Sequence, residues 1–398
     1  ARRTTSVSFA FDVDERYNLL GVRIVADGDS FSDGEQHLVP VLSNKQYLTE
    51  TLAIPIRGGE SRTFDLSHLF NGDSPTATDR RLTVEFTSNP AWYAVQALPT
   101  LAQPTTDNAI DWASAFYANS LAGFIAGSQP RIKAVFDTWM ADGGNKETFL
   151  SQLEKNQEVK NILLSESPWM LEATTESEQR SRIATLFDLN QLNNRNLSAL
   201  TKLKELQGTD GSWSWYKGMS GSFYITSYVT ELLIRLPQLT GKALTSDAQA
   251  MKQAAFGYLN NRALVAYRSM LKAEKQGSKV SSLSDDLVQY LYLVALSGEK
   301  LPDANRQAQD YFLTKIGGNL TDGSVSCKAR AAIILLSAGK KGEADRFIAS
   351  LKEHLVQEDE MGAHFAFLDA PYSWSMMPVP AHVKAMEALR KAGGNDAL

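Results

Sequence analysis

Residues able to do chemistry are few and scattered in this 398-residue chain. Its one cysteine, Cys327, excludes an internal disulfide and any zinc site built on several thiolates. Of the five histidines, none stands four residues from another or within a His-Glu-x-x-His pattern. His354 and His364 flank Glu358-Asp359-Glu360, the nearest approach to a metal cluster. Metal ligands must converge from fixed geometry, and this loose grouping reads as a solvated acidic turn. No Gly-x-Ser-x-Gly elbow raises a serine nucleophile, and Ser220-Gly221-Ser222 reads as a plain loop. Asp210 and Asp322 stand in similar Asp-Gly-Ser loops, at 207–212 and 318–324. Two carboxylates facing one cleft would suit glycosidic cleavage, whereas Asp-Gly-Ser also makes a tight turn with no chemistry at all. The densest aromatic group is Trp213, Trp215, Tyr216, Phe223 and Tyr224, whose rings either fill space beneath a loop or present a contact surface. Asn108 and Asp111 suit a helix start, where Asn caps and Asp complements the dipole. No residue is expected to be catalytic, and neither a metal nor a cofactor is expected.

Bulk composition points to a folded protein. Apolar residues make up 43% and charged residues 21%, and the formal net charge is only -5. That balance gives no basic surface for nucleic acid or an anionic membrane. The length allows two or three domains. The chain shows no signal peptide and no apolar run long enough to span a bilayer. It opens on Ala1-Arg2-Arg3 and runs almost at once into strand pattern, so an excised piece of a longer protein is expected.

Two regions of different period must position these residues. From Ser6 to about Ala97 the pattern is β: Val7, Phe9, Phe11 and Val13 alternate, as do Val22, Ile24 and Ala26. Turns are expected at Asp27-Gly28-Asp29 and Asp33-Gly34-Glu35. Further short strands are expected at 38–42, 47–51, 52–56 and 81–87, and then through Trp92, Tyr93 and Val95. This reads as an antiparallel β-sandwich segment over 1–103. From Asn108 the period turns helical, with Ile110, Trp112, Ala113, Phe116, Tyr117, Ser120 and Leu121 on one face. Helices are expected at 108–126, 129–141, 146–154, 156–163, 176–187, 194–206, 222–236, 246–273, 283–297, 303–315, 325–337, 342–354 and 378–392. The repeated Asp-Gly-Ser loops between helix pairs point to an α/α toroid over 104–398. Asn196 and Asn319 begin Asn-Leu-Ser and Asn-Leu-Thr, which match the glycosylation pattern and are given no weight.

The wording at the junction carries a resemblance. Leu98-Pro99-Thr100-Leu101 and Tyr117-Ala118-Asn119-Ser120-Leu121-Ala122 resemble the flanks of the thioester segment in bacterial alpha-2-macroglobulins. Leu163-Leu164-Ser165-Glu166-Ser167-Pro168-Trp169, Leu186-Phe187-Asp188, and the run from Gln207 ending Trp213-Ser214-Trp215-Tyr216-Lys217-Gly218-Met219 resemble later motifs of that family. Tyr372-Ser373-Trp374 with Pro378 to Leu389 resembles a late helix of the same domain, and Asn89-Pro90-Ala91-Trp92-Tyr93 its preceding β segment. The ungapped alignment puts Asn108 where the family has Cys and Asp111 where it has Gln. A thioester needs a thiolate and a glutaminyl carbonyl, so these are unreactive positions. The resemblance implies a toroid inserted into a CUB-type β domain, cut short at both ends. It implies a bacterial envelope or periplasmic endopeptidase inhibitor that traps proteases without covalent capture. Its partners would be proteases and other domains of the same chain, with no nucleic acid and no membrane contact. In the family, aromatic residues shield the thioester, which implies a leftover packing role for Trp213, Trp215 and Tyr216, beside the contact surface that their grouping itself suggests. The competing reading is a carbohydrate-active or glycan-binding α/α toroid.

Overall fold

The computed structural model describes residues 6–13, 17, 19–28, 31–41, 50, 52, 54, 56, 58–67, 82, 84, 86, 91–128, 189–358, 362–366 and 377–393. The helices expected between 129 and 187 lie outside them, as does the strand expected at 47–51 apart from Glu50. The chain divides into two units, the first holding the described residues up to Leu52 and the second all the later ones.

The first unit contains an antiparallel hairpin of β1 (Leu19–Asp27) and β2 (Ser32–Pro40). Its turn is closed by the Gly28 N–H donating to the Phe31 carbonyl at 2.9 Å. Asp33-Gly34-Glu35, expected as a turn, instead lies within β2, paired with Ala26, Val25 and Ile24. A Cβ on Gly34 would stand 3.1 Å from the Ile24 carbonyl oxygen, so the glycine serves close strand approach. The alternating run 6–13 enters no strand among the described residues.

The second unit is mainly helical, and it corrects the end of the β expectation. α1 spans Ala91–Leu101, where Tyr93 and Val95 were expected in a strand. Val95, Leu98 and Ala102 recur at three and four residues and pack on α2, so the helical period outweighs the β propensity of the aromatic pair. α2 spans Ala109–Ser128, α3 Leu189–Leu206, α4 Phe223–Thr240, α5 Ser246–Lys275, α6 Asp285–Ser297 and α7 Asp303–Lys315. A 3-10 turn (Ile316–Gly318) and the short α8 (Asn319–Asp322) lead to α9 (Val325–Ser337) and α10 (Lys341–Glu353). Strands β3 (Val356–Glu358) and β4 (Gly362–His364) form a small antiparallel pair, unforeseen in the sequence, before α11 (Pro378–Lys391).

Caps explain these boundaries. Ser222, Thr245, Ser284 and Ser324 each accept a first-turn N–H, at 3.4, 3.3, 3.4 and 3.2 Å. Gly241 and Gly298, both at φ 65°, end α4 and α6 in the left-handed region. Packing then orders the helices into two alternating series. α2, α4, α6, α9 and α11 each contact the next in that order, and α3, α5 and α7 form a second such series. α6 and α9 are apolar on nearly all sides, as interior helices must be. α2 and α11 bury mostly alanines, Ala113, Ala118 and Ala122 on one and Ala381, Ala385 and Ala388 on the other, so their neighbours approach closely.

Candidate functional site

The chain enters α2 through a tightly bonded turn. Asn108, nearly buried, accepts the Asp111 N–H at 2.9 Å through Oδ1, and its Nδ2 donates to the Thr106 hydroxyl. One Asp111 oxygen accepts both the N–H and the hydroxyl of Thr105 (3.1 and 2.9 Å) and of Thr106 (2.9 and 3.1 Å). Partial burial pushes the Asp111 carboxyl upward, but the hydrogen bonds from Thr106 and Thr105 outweigh it and hold the group below its ordinary value. Both positions are thus saturated by the helix start. The Trp112 indole donates to Asp107 at 2.7 Å, and the Ala109 N–H donates to the Trp215 carbonyl at 3.1 Å, which seats the 213–219 loop on this turn.

That loop sorts its aromatic residues by depth. Trp213 is 0% exposed and donates from Nε1 to the Leu203 carbonyl at 2.9 Å, while its N–H is held by the Thr226 hydroxyl at 2.8 Å. It is a core residue and presents no contact surface, contrary to the expectation that included it. Trp215 is half-buried and stacks on Tyr224 with ring centroids 6.4 Å apart and planes 23° apart. Tyr216 and Tyr224 are 47% and 41% exposed.

The sequence reading missed a polar stripe on α4. Tyr224, Tyr228, Glu231 and Arg235 recur every three or four residues on one face of an otherwise apolar helix, which is where the signal lay. Tyr228 meets the Ser114 hydroxyl of α2 at 3.3 Å. Glu231 accepts from Arg235 at 2.8 Å, from Lys384 of α11, and from Gln289 of α6 at 3.2 Å. Arg235 and the Tyr292 hydroxyl donate to Glu387 of α11 at 2.8 and 2.7 Å. Gln289 passes the chain of bonds on to Arg330 of α9 at 2.8 Å, which ends on Asp285 at 2.6 Å. Four helices of the first series are thereby tied by one network whose charges cancel in pairs. Burial pushes Glu231 upward, yet Lys384 and Arg235 bring it below its ordinary value. Burial lowers Lys384, with Arg235 adding to the effect, and burial raises Tyr292.

The other candidates are accounted for locally. Asp210 accepts the Ser212 N–H and hydroxyl at 3.0 and 2.6 Å, and those bonds lower its pKa. Asp322 ends α8, and its side chain lies outside the described residues. The two Asp-Gly-Ser loops differ: Ser324 caps α9, whereas Ser212 closes an Asp turn well ahead of α4. Asn319 is buried, exchanging hydrogen bonds with both backbone groups of Leu283 at 3.0 and 2.8 Å. Ser222 of the Ser-Gly-Ser loop is the α4 cap. His364 stands 4.0 Å from Glu358, His354 meets the Ser350 carbonyl, and His382 accepts the Phe365 N–H at 2.9 Å. Asp359 and Glu360 lie outside the described residues, and among those described no His, Cys, Asp and Glu converge as a metal site. Cys327 is buried, and burial pushes its thiol upward. No helix among the described residues is long and apolar enough to cross a membrane. No protein-family model matches the chain, and no curated protein matches it.

Proposed function

We propose that this chain is part of a bacterial alpha-2-macroglobulin-like protein that captures endopeptidases without a thioester. The observation that carries the reading is the α2 start. The two positions that align with the thioester pair are occupied by Asn108 and Asp111, and every bond they make serves the turn. Neither can acylate a target, so capture proceeds through non-covalent contact and change of shape. The two alternating helix series fit the α/α toroid that the resemblance implies, with α2, α4, α6, α9 and α11 as its inner helices. The 213–219 loop still sits on the α2 start, as a shield for that position would, and keeps a packing role. The proposed setting is the cell envelope or periplasm, with proteases and neighbouring domains of the same polypeptide as partners.

The test is to mix the full-length protein with a panel of endopeptidases. Retained proteases that lose activity on a protein substrate but keep it on a small peptide would support capture. Denaturing gels would then show no covalent adduct. Unimpeded digestion of the protein substrate would refute the reading. A glycan-cleaving role draws no support from Asp210, whose carboxylate is committed to its own turn.

A further inference from the structure

We propose that the outward face of α11 docks an acidic amphipathic helix of a partner protein. α11 is turned inside out relative to an ordinary surface helix, which faces its core with its larger apolar residues. Its buried side chains are Ala381, Ala385 and Ala388, while Val379, Val383 and Met386 are 73%, 51% and 68% exposed. These three stand at i, i+4 and i+7, so they form one ridge over two turns. A ridge of that kind fits the groove between side-chain rows of another helix.

The ridge runs into positive charge. Arg390, at i+11, extends it, Lys391 stands beside it, and both are exposed. Among the described residues neither has a carboxylate partner. The other charged groups of α11, Lys384 and Glu387, are bonded to Glu231 and Arg235. On the elements packed against α11, Arg330 of α9 is held by Asp285 and Lys328 by Ser350. The β3–β4 hairpin, joined to α11 through Phe365 and His382, keeps Glu358 4.0 Å from His364. At α10, Lys340 pairs with Glu343 and Lys341 with Asp345, which leaves Arg346, Lys352 and Glu353. The neighbourhood is therefore cationic on balance, and carboxylates to answer Arg390 and Lys391 have to come from the partner.

Charge also decides between occupants. A second copy of this face would match the apolar ridge, but its cationic end would meet either its own kind or the uncharged start of α11 at Met377-Pro378-Val379. A bilayer is the poorer match as well. Helices that lie in a membrane surface bring aromatic rings and a wide cationic face, and this stripe has neither. A helix with one apolar stripe and carboxylates along its border answers both halves of the surface. The inference is independent of protease capture.

The experiment is fluorescence anisotropy of the 398-residue chain with a labelled, helix-stapled peptide that carries one leucine stripe flanked by glutamates. A second peptide has lysine in place of each glutamate. The glutamate peptide should bind about tenfold more tightly than the lysine peptide, and less tightly as salt rises. Val383→Ser and Met386→Ser, at exposed side chains, should each weaken it several-fold with the melting temperature unchanged. Val265→Ser, at an exposed position on α5, should leave binding unaltered. Arg390→Glu combined with Lys391→Glu should reverse the preference and favour the lysine peptide, a gain that loss of folding could not produce. Equal affinity for the two peptides, no binding of the glutamate peptide, or binding that survives both serine variants would overturn the proposal. So would a dimer of the chain that Met386→Ser disperses in sedimentation, which would assign the face to a second copy. Preferential binding to phosphatidylserine vesicles would overturn it too, and would assign the face to a bilayer.

Discussion

Asp111 shows how much one side chain does at the α2 start, because a single carboxylate oxygen closes four hydrogen bonds from two threonines. Asp111→Ala should destabilise the fold by about 1–2 kcal/mol, the range for losing a helix cap, as measured by urea unfolding. Its folded pKa lies below the ordinary 3.8, so the contribution is fully present above that value. It is lost as pH falls through the lowered folded value. Asp111→Asn should therefore flatten part of the acid limb of the stability curve. Glycines give a sharper contrast. Gly211 has φ 85°, and a Cβ there would stand 2.1 Å from the Ala254 carbonyl oxygen, so Gly211→Ala should lower the melting temperature markedly. Gly257, inside α5 with open space around it, should accept alanine and gain about 0.5–1 kcal/mol. These local features were partly legible in the sequence. Asn and Asp at a helix start announce their capping role by type, and Asp-Gly-Ser announces a turn. The depth of Trp213 did not, because its burial depends on Leu203 and Thr226 on the flanking helices.

Among the elements, α11 is held in an unusual way. Its buried face is alanine, while Val379, Val383 and Met386 point to solvent, so apolar burial contributes little to its docking. The charge network ties it to α4 and α6 instead, through Lys384 and Glu387. Glu231→Gln should free α11 preferentially, since it leaves Lys384 and Arg235 without their shared carboxylate. A loss of about 3–5 kcal/mol is expected for removing one partner of such a buried group. Hydrogen exchange would show α11 amides opening before those of α6 and α9. Uniform exchange across all three helices would contradict this account of α11. The boundaries of α4 to α7 and of α9 to α11 followed, within a few residues, from period and caps, which are local, whereas α8 forms inside a stretch expected as a loop. The network did not follow from either, since its cross-helix partners stand 41 to 153 residues apart and only packing brings them together. α1 was misread for the opposite reason: a local aromatic pair favoured a strand, and the contact with α2 decided for a helix.

For the whole molecule, the described residues give a mainly helical unit of two alternating series and a separate hairpin unit. The mainly helical character from α2 onward was visible in the sequence because most of these helices carry an apolar face of helical period. The β-sandwich expected over 1–103 was not met among the described residues, where pairing is confined to β1 and β2. Alternation marks extended chain, but it does not choose a partner strand, and the side chains at Val7, Phe9 and Phe11 are exposed. At this scale the proposed activity is endopeptidase capture without a covalent bond. The most direct measurement is endopeptidase activity on a protein substrate after incubation with the full-length protein, followed by a denaturing gel. The account predicts activity lost on the large substrate, kept on a small peptide, and no covalent adduct. Full activity on the large substrate, or an adduct that survives denaturation, would contradict it.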